Sequence, residues 1–161
     1  MITRKVCLIG DFGVGKTSLV RRFVQNVFSH EYLTTVGVDI NVKTVQLDGG
    51  VRVKLVIWDI AGSDRLSSVK RSYLQGAAGY LLVADVTRPA TLHTAMELKA
   101  LVDRELRQPP SVALLNKCDL QPAHEVDLPA GIEWHRTSAL TGEGVEAAFL
   151  RLARALTEQR Q

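Results

Sequence analysis

The stretch that most constrains this chain is residues 10–17, Gly-Asp-Phe-Gly-Val-Gly-Lys-Thr, which fits the pattern G-x-x-x-x-G-K-[ST]. An apolar run, residues 6–9, comes before it, and an amphipathic run that begins at Lys16 comes after it. This order predicts a strand, a phosphate-binding loop and a helix. The glycines let successive backbone N–H groups converge on phosphate, and the helix N-terminus adds partial positive charge.

The loop assigns roles to particular residues. The Lys16 ammonium is expected to contact the β- and γ-phosphates, and the Thr17 hydroxyl is expected to ligate Mg²⁺. The full set predicted to bind the phosphates from this segment is Gly13, Val14, Gly15, Lys16, Thr17 and Ser18.

Length and charge limit the kind of protein. A chain of 161 residues fits one α/β domain, residues 1–161. Its net charge of +3 is small and its basic residues are scattered, so nucleic acid and membrane surfaces are not expected to be main partners. Cys7 and Cys118 lie far apart in sequence, which argues against a disulfide and suits a reducing compartment.

The sequence also predicts where the protein works. No apolar run is long enough to span a membrane, no signal peptide is apparent, and the last five residues contain no cysteine for prenylation. We therefore expect a cytoplasmic protein with no direct membrane anchor in this chain, and a monomer or weak dimer.

Hydrophobic patterning predicts the remaining strands. Two alternating runs, residues 38–47 and 51–57, flank an Asp-Gly-Gly turn and predict an antiparallel hairpin at a sheet edge. Residues 79–85 and 112–115 are apolar throughout, as expected of strands buried on both faces, and residues 132–136 predict a last strand.

Four helices are predicted between and after these strands. They cover residues 16–26, 69–75, 91–107 and a closing segment, with Thr91 as N-cap of the third. One face of the closing helix holds Val145, Ala148, Phe149, Leu152 and Leu156. Alternating strands and helices predict a mostly parallel sheet covered on both faces. Such sheets bind ligands beyond the carboxyl ends of their strands, where the polar motifs of this chain fall.

Five motifs in order resemble those of Ras-superfamily small GTPases, with the Rab branch most similar in pattern. They are residues 10–17, 35–39, 58–62 and 116–119, and the pair Ser138 and Ala139. The resemblance covers nearly the full chain and implies a P-loop NTPase fold of the Ras-like G-domain type. This fold has a mostly parallel six-stranded sheet, one antiparallel edge strand and helices on both faces.

The resemblance implies a guanine-nucleotide switch with Mg²⁺ as cofactor. Thr35 would add a hydroxyl to Mg²⁺, with adjacent Thr34 as a competing candidate, and Asp59 would hold the ion through water. Thr35 and Gly62 would also bind the phosphates. The Gly62 N–H would contact the γ-phosphate, and glycine permits the swing that this contact requires. The implied metal ligands are Thr17, Thr35 and Asp59, and the implied catalytic residues are Lys16, Thr35, Gly62 and Ser63.

The resemblance also implies a guanine site. Asp119 can accept two hydrogen bonds from guanine that adenine does not offer, and Ser138 would support it. Asn116 and Lys117 would brace the base loop, residues 116–119, against the phosphate loop, and the Ala139 N–H would bond the guanine O6. The full implied set is Phe28, Asn116, Lys117, Asp119, Ser138, Ala139 and Leu140.

Three departures from the family pattern bear on turnover. Ser63 stands where the family usually has a catalytic glutamine, and serine is too short to orient the attacking water. Phe12 is bulky at a loop position where small residues are usual. The connection over residues 121–131 is short and holds Pro122 and Pro129, so the helix usual there is reduced or absent.

These features leave three functional classes. The first is a GTP/GDP switch with slow hydrolysis that signals to protein effectors and regulators through loops near residues 30–40 and 60–75. The second is a GTP-binding scaffold with negligible hydrolysis, which Ser63 keeps open. The third, a P-loop kinase, is disfavoured because no acceptor-binding segment is apparent. Apolar residues Val36, Val38, Ile40 and Trp58 are candidates for an effector surface or for self-association.

Overall fold

The computed structural model describes residues 1–30, 35, 37–62, 71–120 and 126–158. Within these ranges six strands form one sheet. They are β1 (Ile2–Gly10), β2 (Val38–Gln46), β3 (Arg52–Ile60), β4 (Gly79–Asp85), β5 (Ser111–Asn116) and β6 (Trp134–Arg136). Their order across the sheet is β2-β3-β1-β4-β5-β6. Only the β2–β3 pair among these is antiparallel, so the predicted mixed sheet with an antiparallel edge strand is confirmed.

The described α-helices are α1 (Lys16–Gln25), α2 (Arg71–Leu74), α3 (Ala90–Leu106) and α4 (Val145–Glu158), and a 3₁₀ turn (Asp48–Gly50) joins β2 to β3. The predicted hairpin turn is therefore present. Residues 69 and 70 of the predicted second helix lie outside the described residues.

Two apolar layers fill the space between the sheet and the helices. On one face α1 and α4 pack together, and the rings of Phe23 and Phe149 stack with centroids 3.9 Å apart. On the other face α3 contributes Leu92, Leu98 and Val102. All five residues predicted for the inner face of the closing helix are buried, which confirms that part of the helix assignment. Cys7 and Cys118 are buried free thiols.

Strand β1 lies at the centre, paired with β3 on one side and β4 on the other. Its last residue, Gly10, therefore opens the phosphate loop in the middle of the sheet edge. The carboxyl ends of β3, β4 and β5 bring Asp59, Asp85 and Asn116 to the same edge.

Three local predictions need correction. Strand β3 extends to Ile60 rather than ending at residue 57, because pairing with β2 continues through Ile60. Strand β6 begins only at Trp134, since its pairing with β5 covers three residues. Thr91 is not an N-cap: the helix begins at Ala90 after Pro89, and the Thr91 hydroxyl instead accepts from the Asp85 N–H at 2.9 Å.

The connection after β5 was expected to lack its helix. No helix occurs over residues 126–131, whereas residues 121–125 lie outside the described part of the chain.

Candidate functional site

The phosphate loop turns sharply into α1. Gly15 has φ of +99°, a conformation that favours glycine, and a side chain there would collide with the Asn116 amide. Lys16 folds back over the loop, and its Nζ donates to the carbonyls of Gly10 at 3.1 Å and Asp11 at 3.2 Å. Burial lowers the pKa of Lys16 to about 8, while Asp59 and Asp11 oppose this effect.

Three oxygen-bearing side chains predicted to hold Mg²⁺ come together beside this lysine. The Thr17 hydroxyl lies 2.5 Å from that of Thr35 and donates to Asp59 Oδ2 at 2.6 Å. The Thr35 hydroxyl donates to the same carboxylate oxygen at 3.2 Å. Residues from α1, the loop before β2 and the end of β3 thus meet at one point.

The donor chemistry of this cluster fits a magnesium ion. Asp59 is buried, and its Oδ1 has no hydrogen-bond partner among the described residues. Burial raises the pKa of Asp59, while hydrogen bonds from Thr17 and Thr35 and the charge of Lys16 oppose the rise. No three His, Cys, Asp or Glu side chains in the described ranges form a metal cluster. One carboxylate with two hydroxyls is the sparse oxygen set that Mg²⁺ uses alongside water and phosphate.

Gly62 lies directly on the phosphate loop. A Cβ on Gly62 would come within 2.5 Å of Phe12 Cα and 2.8 Å of its backbone nitrogen, so only glycine fits there. Its backbone is therefore held next to the loop, as a γ-phosphate contact requires. Phe12 itself is half-exposed. Ser63 and Thr34 lie outside the described residues.

The predicted bracing between the base loop and the phosphate loop is present. Asn116 Nδ2 donates to the Val14 carbonyl at 3.0 Å, and Asn116 Oδ1 accepts from the buried Thr137 hydroxyl at 3.0 Å. Lys117 Nζ donates to the Gly13 carbonyl at 2.9 Å. Lys117 has φ of +66°, in the left-handed region.

The remaining residues of the guanine site are fixed in place by further contacts. Ser138 Oγ donates to Asp119 Oδ1 at 2.7 Å, which is the predicted support for Asp119. The Gly142 N–H donates to the Ser138 carbonyl at 2.8 Å. That carbonyl shares a peptide plane with the Ala139 N–H, so the contact fixes the direction of the predicted O6 donor.

A cavity of about 350 Å³ opens between the two loops. Its predicted lining residues are Gly13, Gly15, Ser18, Phe28, Asn116, Lys117, Asp119, Ala139 and Leu140. The prediction missed three others, Ser29, His30 and Leu120. His30 meets Phe28 edge to face with ring centroids 5.1 Å apart. Its position two residues after Phe28, which was assigned to the guanine site, is the sequence feature that could have identified it.

Sequence reasoning also missed three charged residues that organise the site. Arg22 donates from Nε to the Ala139 carbonyl at 2.7 Å and from Nη2 to the Leu140 carbonyl at 2.6 Å, so α1 holds the segment that follows β6. Asp85 and Arg88 lie at the end of β4 and just after it. Asp85 could have been found, because it ends a buried strand at the edge where the other polar motifs lie.

The candidate effector residues differ in exposure. Ile40 is exposed, whereas Val38 and Trp58 are only half-buried, and Val36 lies outside the described residues. Lys5 covers Trp58, with its Nζ 3.6 Å from the ring centroid. In the described part of the chain, no helix has the length and apolar character needed to cross a membrane.

The central parallel strands, the glycine loop entering α1 and the adjoining hydroxyl–carboxylate cluster define a P-loop nucleotide-binding protein. Comparison with known proteins narrows this class. The Ras family model matches residues 5–158.

Similar proteins share most of their length with this chain. Ras-related protein Rab-32A of Dictyostelium discoideum is 37% identical over 160 residues, covering 89% of this chain and 73% of the relative. GTP-binding protein YPT1 of Saccharomyces cerevisiae is 37% identical over 163 residues, covering 96% and 79%. GTP-binding protein ypt2 of Schizosaccharomyces pombe is 34% identical over 165 residues, covering 97% and 82%. The chain belongs to the Ras family of small GTPases and is Rab-like.

Proposed function

We propose that this GTPase is a switch that binds GTP and GDP with Mg²⁺, hydrolyses GTP slowly and signals to protein partners through the loops near residues 30–40 and 60–75. The observation that carries the proposal is the cavity between the phosphate loop and the base loop. Asp119 lines this cavity, and so do Gly15 and Ser18, which flank Lys16 and Thr17 in the chain. Thr17 in turn contacts Thr35 and Asp59.

Electrostatics support a phosphate ligand at this position. Burial lowers the pKa of Lys16 to about 8, so its charged form is disfavoured by its surroundings. Phosphate oxygens beside Nζ would favour the ammonium form. Mg²⁺ held by Thr17, Thr35 and Asp59 would neutralise the charge that develops on the phosphates during hydrolysis.

Competition between GTP and ATP for the purified protein tests nucleotide class. Asp119 is expected to favour GTP because adenine lacks the two donors that a carboxylate pairs with in guanine. Preferential ATP binding would reject the guanine site. Retention of affinity in EDTA would count against the metal cluster.

Slow hydrolysis is proposed from Ser63 and Phe12. Single-turnover hydrolysis with Mg²⁺ tests it, and Ser63→Gln is expected to raise the rate more than Phe12→Gly does. A wild-type rate equal to that of glutamine-bearing relatives would refute it. The scaffold function is the second candidate, since serine at position 63 is too short to orient water. Bound GTP that persists for hours without an activator would favour that function.

Effectors and regulators are proposed to contact the switch loops and the exposed side chain of Ile40, which is 48% exposed on the edge strand β2. A partner that binds the GTP form in preference to the GDP form is expected to lose affinity on Ile40→Asp. Equal binding to both nucleotide states would argue against a switch.

A further inference from the structure

Asp85 joins two cations at the end of β4. Its carboxylate is buried, and Oδ1 accepts the Thr87 N–H at 2.8 Å and the Thr87 hydroxyl at 2.6 Å. Oδ2 accepts from Arg88 Nε at 3.2 Å and lies 3.0 Å from Lys117 Nζ. Burial favours the neutral acid, but hydrogen bonds from Thr87 and Lys117 hold the pKa of Asp85 below its ordinary value. The carboxylate therefore stays charged and keeps both cations in place.

Both cations extend past Asp85 to neighbouring carbonyls of the phosphate loop. Arg88 Nη2 donates to the Phe12 carbonyl at 2.7 Å, and Lys117 Nζ donates to the Gly13 carbonyl at 2.9 Å. The Lys117 contact belongs to the bracing of the base loop described above. The Arg88 contact comes from a different element, the turn between β4 and α3, and none of the predicted roles accounts for it.

Peptide planarity gives this contact a consequence for the ligand. A carbonyl and the N–H of the following residue point in opposite directions across one rigid plane. The contact to the Phe12 carbonyl therefore fixes the direction of the Gly13 N–H. Gly13 has φ of +75° and no side chain to limit its backbone rotation, so a contact from another element is needed to restrict the orientation of this peptide.

A second element also packs against the backbone of Phe12. Gly62 packs against Phe12 Cα and the Asp11 carbonyl so closely that a Cβ would not fit. The Phe12 backbone is thus contacted by two elements, by Gly62 at its Cα and by the Arg88 guanidinium at its carbonyl.

We propose that Arg88 is a positioning residue of the phosphate site, which, anchored by Asp85, fixes the Phe12 carbonyl and so directs the Gly13 N–H at the phosphates. This inference rests on the proposed function as a guanine-nucleotide binder. The guanidinium suits the task because its rigid fork bonds a carboxylate and a carbonyl at once, which a lysine ammonium on a flexible stem does less well.

The test measures the affinities of GDP and of guanosine, which lacks phosphates, by their competition with a fluorescent GDP. The proteins compared are the wild type and the variants Arg88→Ala, Arg88→Lys and Arg104→Ala. Arg104 is an exposed arginine in the last turn of α3, so its variant matches the charge change. Arg88→Ala is expected to weaken GDP about tenfold, the scale of one lost hydrogen bond to a charged group. Its guanosine affinity is expected to stay within about twofold of the wild type.

Arg88→Lys is expected to recover part of the loss, and Arg104→Ala to match the wild type. An unchanged GDP-to-guanosine ratio in Arg88→Ala overturns the inference, and so does an equal loss for both ligands, which indicates general loosening. If Arg88→Ala does not fold, Arg88→Lys provides the test. Wild-type GDP affinity in Arg88→Lys would overturn the inference, because lysine lacks the guanidinium fork that bonds the Asp85 carboxylate and the Phe12 carbonyl at once. Failure of the wild type to bind GDP rejects the proposed function first, and this inference with it.

Discussion

Asn116 provides a quantitative test of how the two nucleotide-binding loops are joined. Asn116→Ala leaves the Val14 carbonyl and the Thr137 hydroxyl without their partner, and Thr137 is fully buried. Each abandoned buried group costs about 1–3 kcal/mol, so the variant is expected to lose about 2–5 kcal/mol of unfolding free energy. For a domain of this size the melting temperature would fall by roughly 5–15 °C.

A double-mutant cycle with Thr137→Val isolates the side-chain contact. Valine keeps the shape of threonine but removes the hydroxyl, which leaves Asn116 Oδ1 unpaired at a cost of about 1–2 kcal/mol. The double variant is expected to cost about 1 kcal/mol less than the sum, because both single changes break the same bond. Urea unfolding without nucleotide measures these values free of ligand binding.

Asn41→Ala is the matched control, since Asn41 lies on the edge strand and its side chain makes an exposed contact to Asp39. It is expected to change the unfolding free energy by less than about 1 kcal/mol. A loss below about 1 kcal/mol for Asn116→Ala would refute the assignment of Asn116 as the link between the loops. Strict additivity with Thr137→Val would refute an energetic role for the hydrogen bond between Asn116 and Thr137.

Four further outcomes are expected. Asp119→Asn should shift nucleotide preference from guanine to xanthine in competition binding, because the amide offers a donor where the carboxylate accepts; unchanged guanine preference contradicts the base assignment. Asp59→Ala should abolish the increase in GDP affinity that Mg²⁺ produces in titrations with and without EDTA, and a retained increase rejects Asp59 as a metal-site residue. Phe149→Ala removes the ring stacked on Phe23 and should cost about 3–5 kcal/mol in urea unfolding. The pKa of Asp85 is lowered in the folded state, so the stability that its charge contributes is present above its ordinary pKa of about 4 and is lost as pH falls through the lower folded value. The difference in unfolding free energy between the wild type and Asp85→Asn should therefore narrow from about pH 6 to about pH 3, and a constant difference would contradict a stabilising role for the Asp85 charge.

Most of the fold could be predicted because apolar runs reveal buried strands directly. Strand β4 coincides with the predicted residues 79–85, and α1 and α4 follow their apolar faces. The ends of elements were less predictable. Thr91 looked like a cap in sequence, but its hydroxyl bonds the end of β4 instead, a tertiary contact that local pattern does not encode.

The site was predictable where short motifs carry it and not where distant side chains complete it. Asn116 and Lys117 contact the phosphate loop as their motif implied. Arg22 and Leu140 are 118 positions apart, and nothing in the helical pattern of α1 marks Arg22 as a contact to Leu140. Helical periodicity assigns such a residue to the polar face and says nothing of what that face meets.

The left-handed backbone of Lys117 has a consequence for how the base loop responds to change. The other described non-glycine residues with positive φ are Asn26 and Arg107, which end helices, and Gln108 beside the latter. Lys117 holds this conformation, which costs about 1–3 kcal/mol, next to a strand end. The contacts of its Nζ with Gly13 and Asp85 offset that strain, so the strained backbone of the base loop is kept in place by the phosphate loop and by Asp85. Lys117→Ala would remove these contacts and leave the backbone cost in place, whereas Lys117→Gly would remove the contacts and most of the backbone cost together.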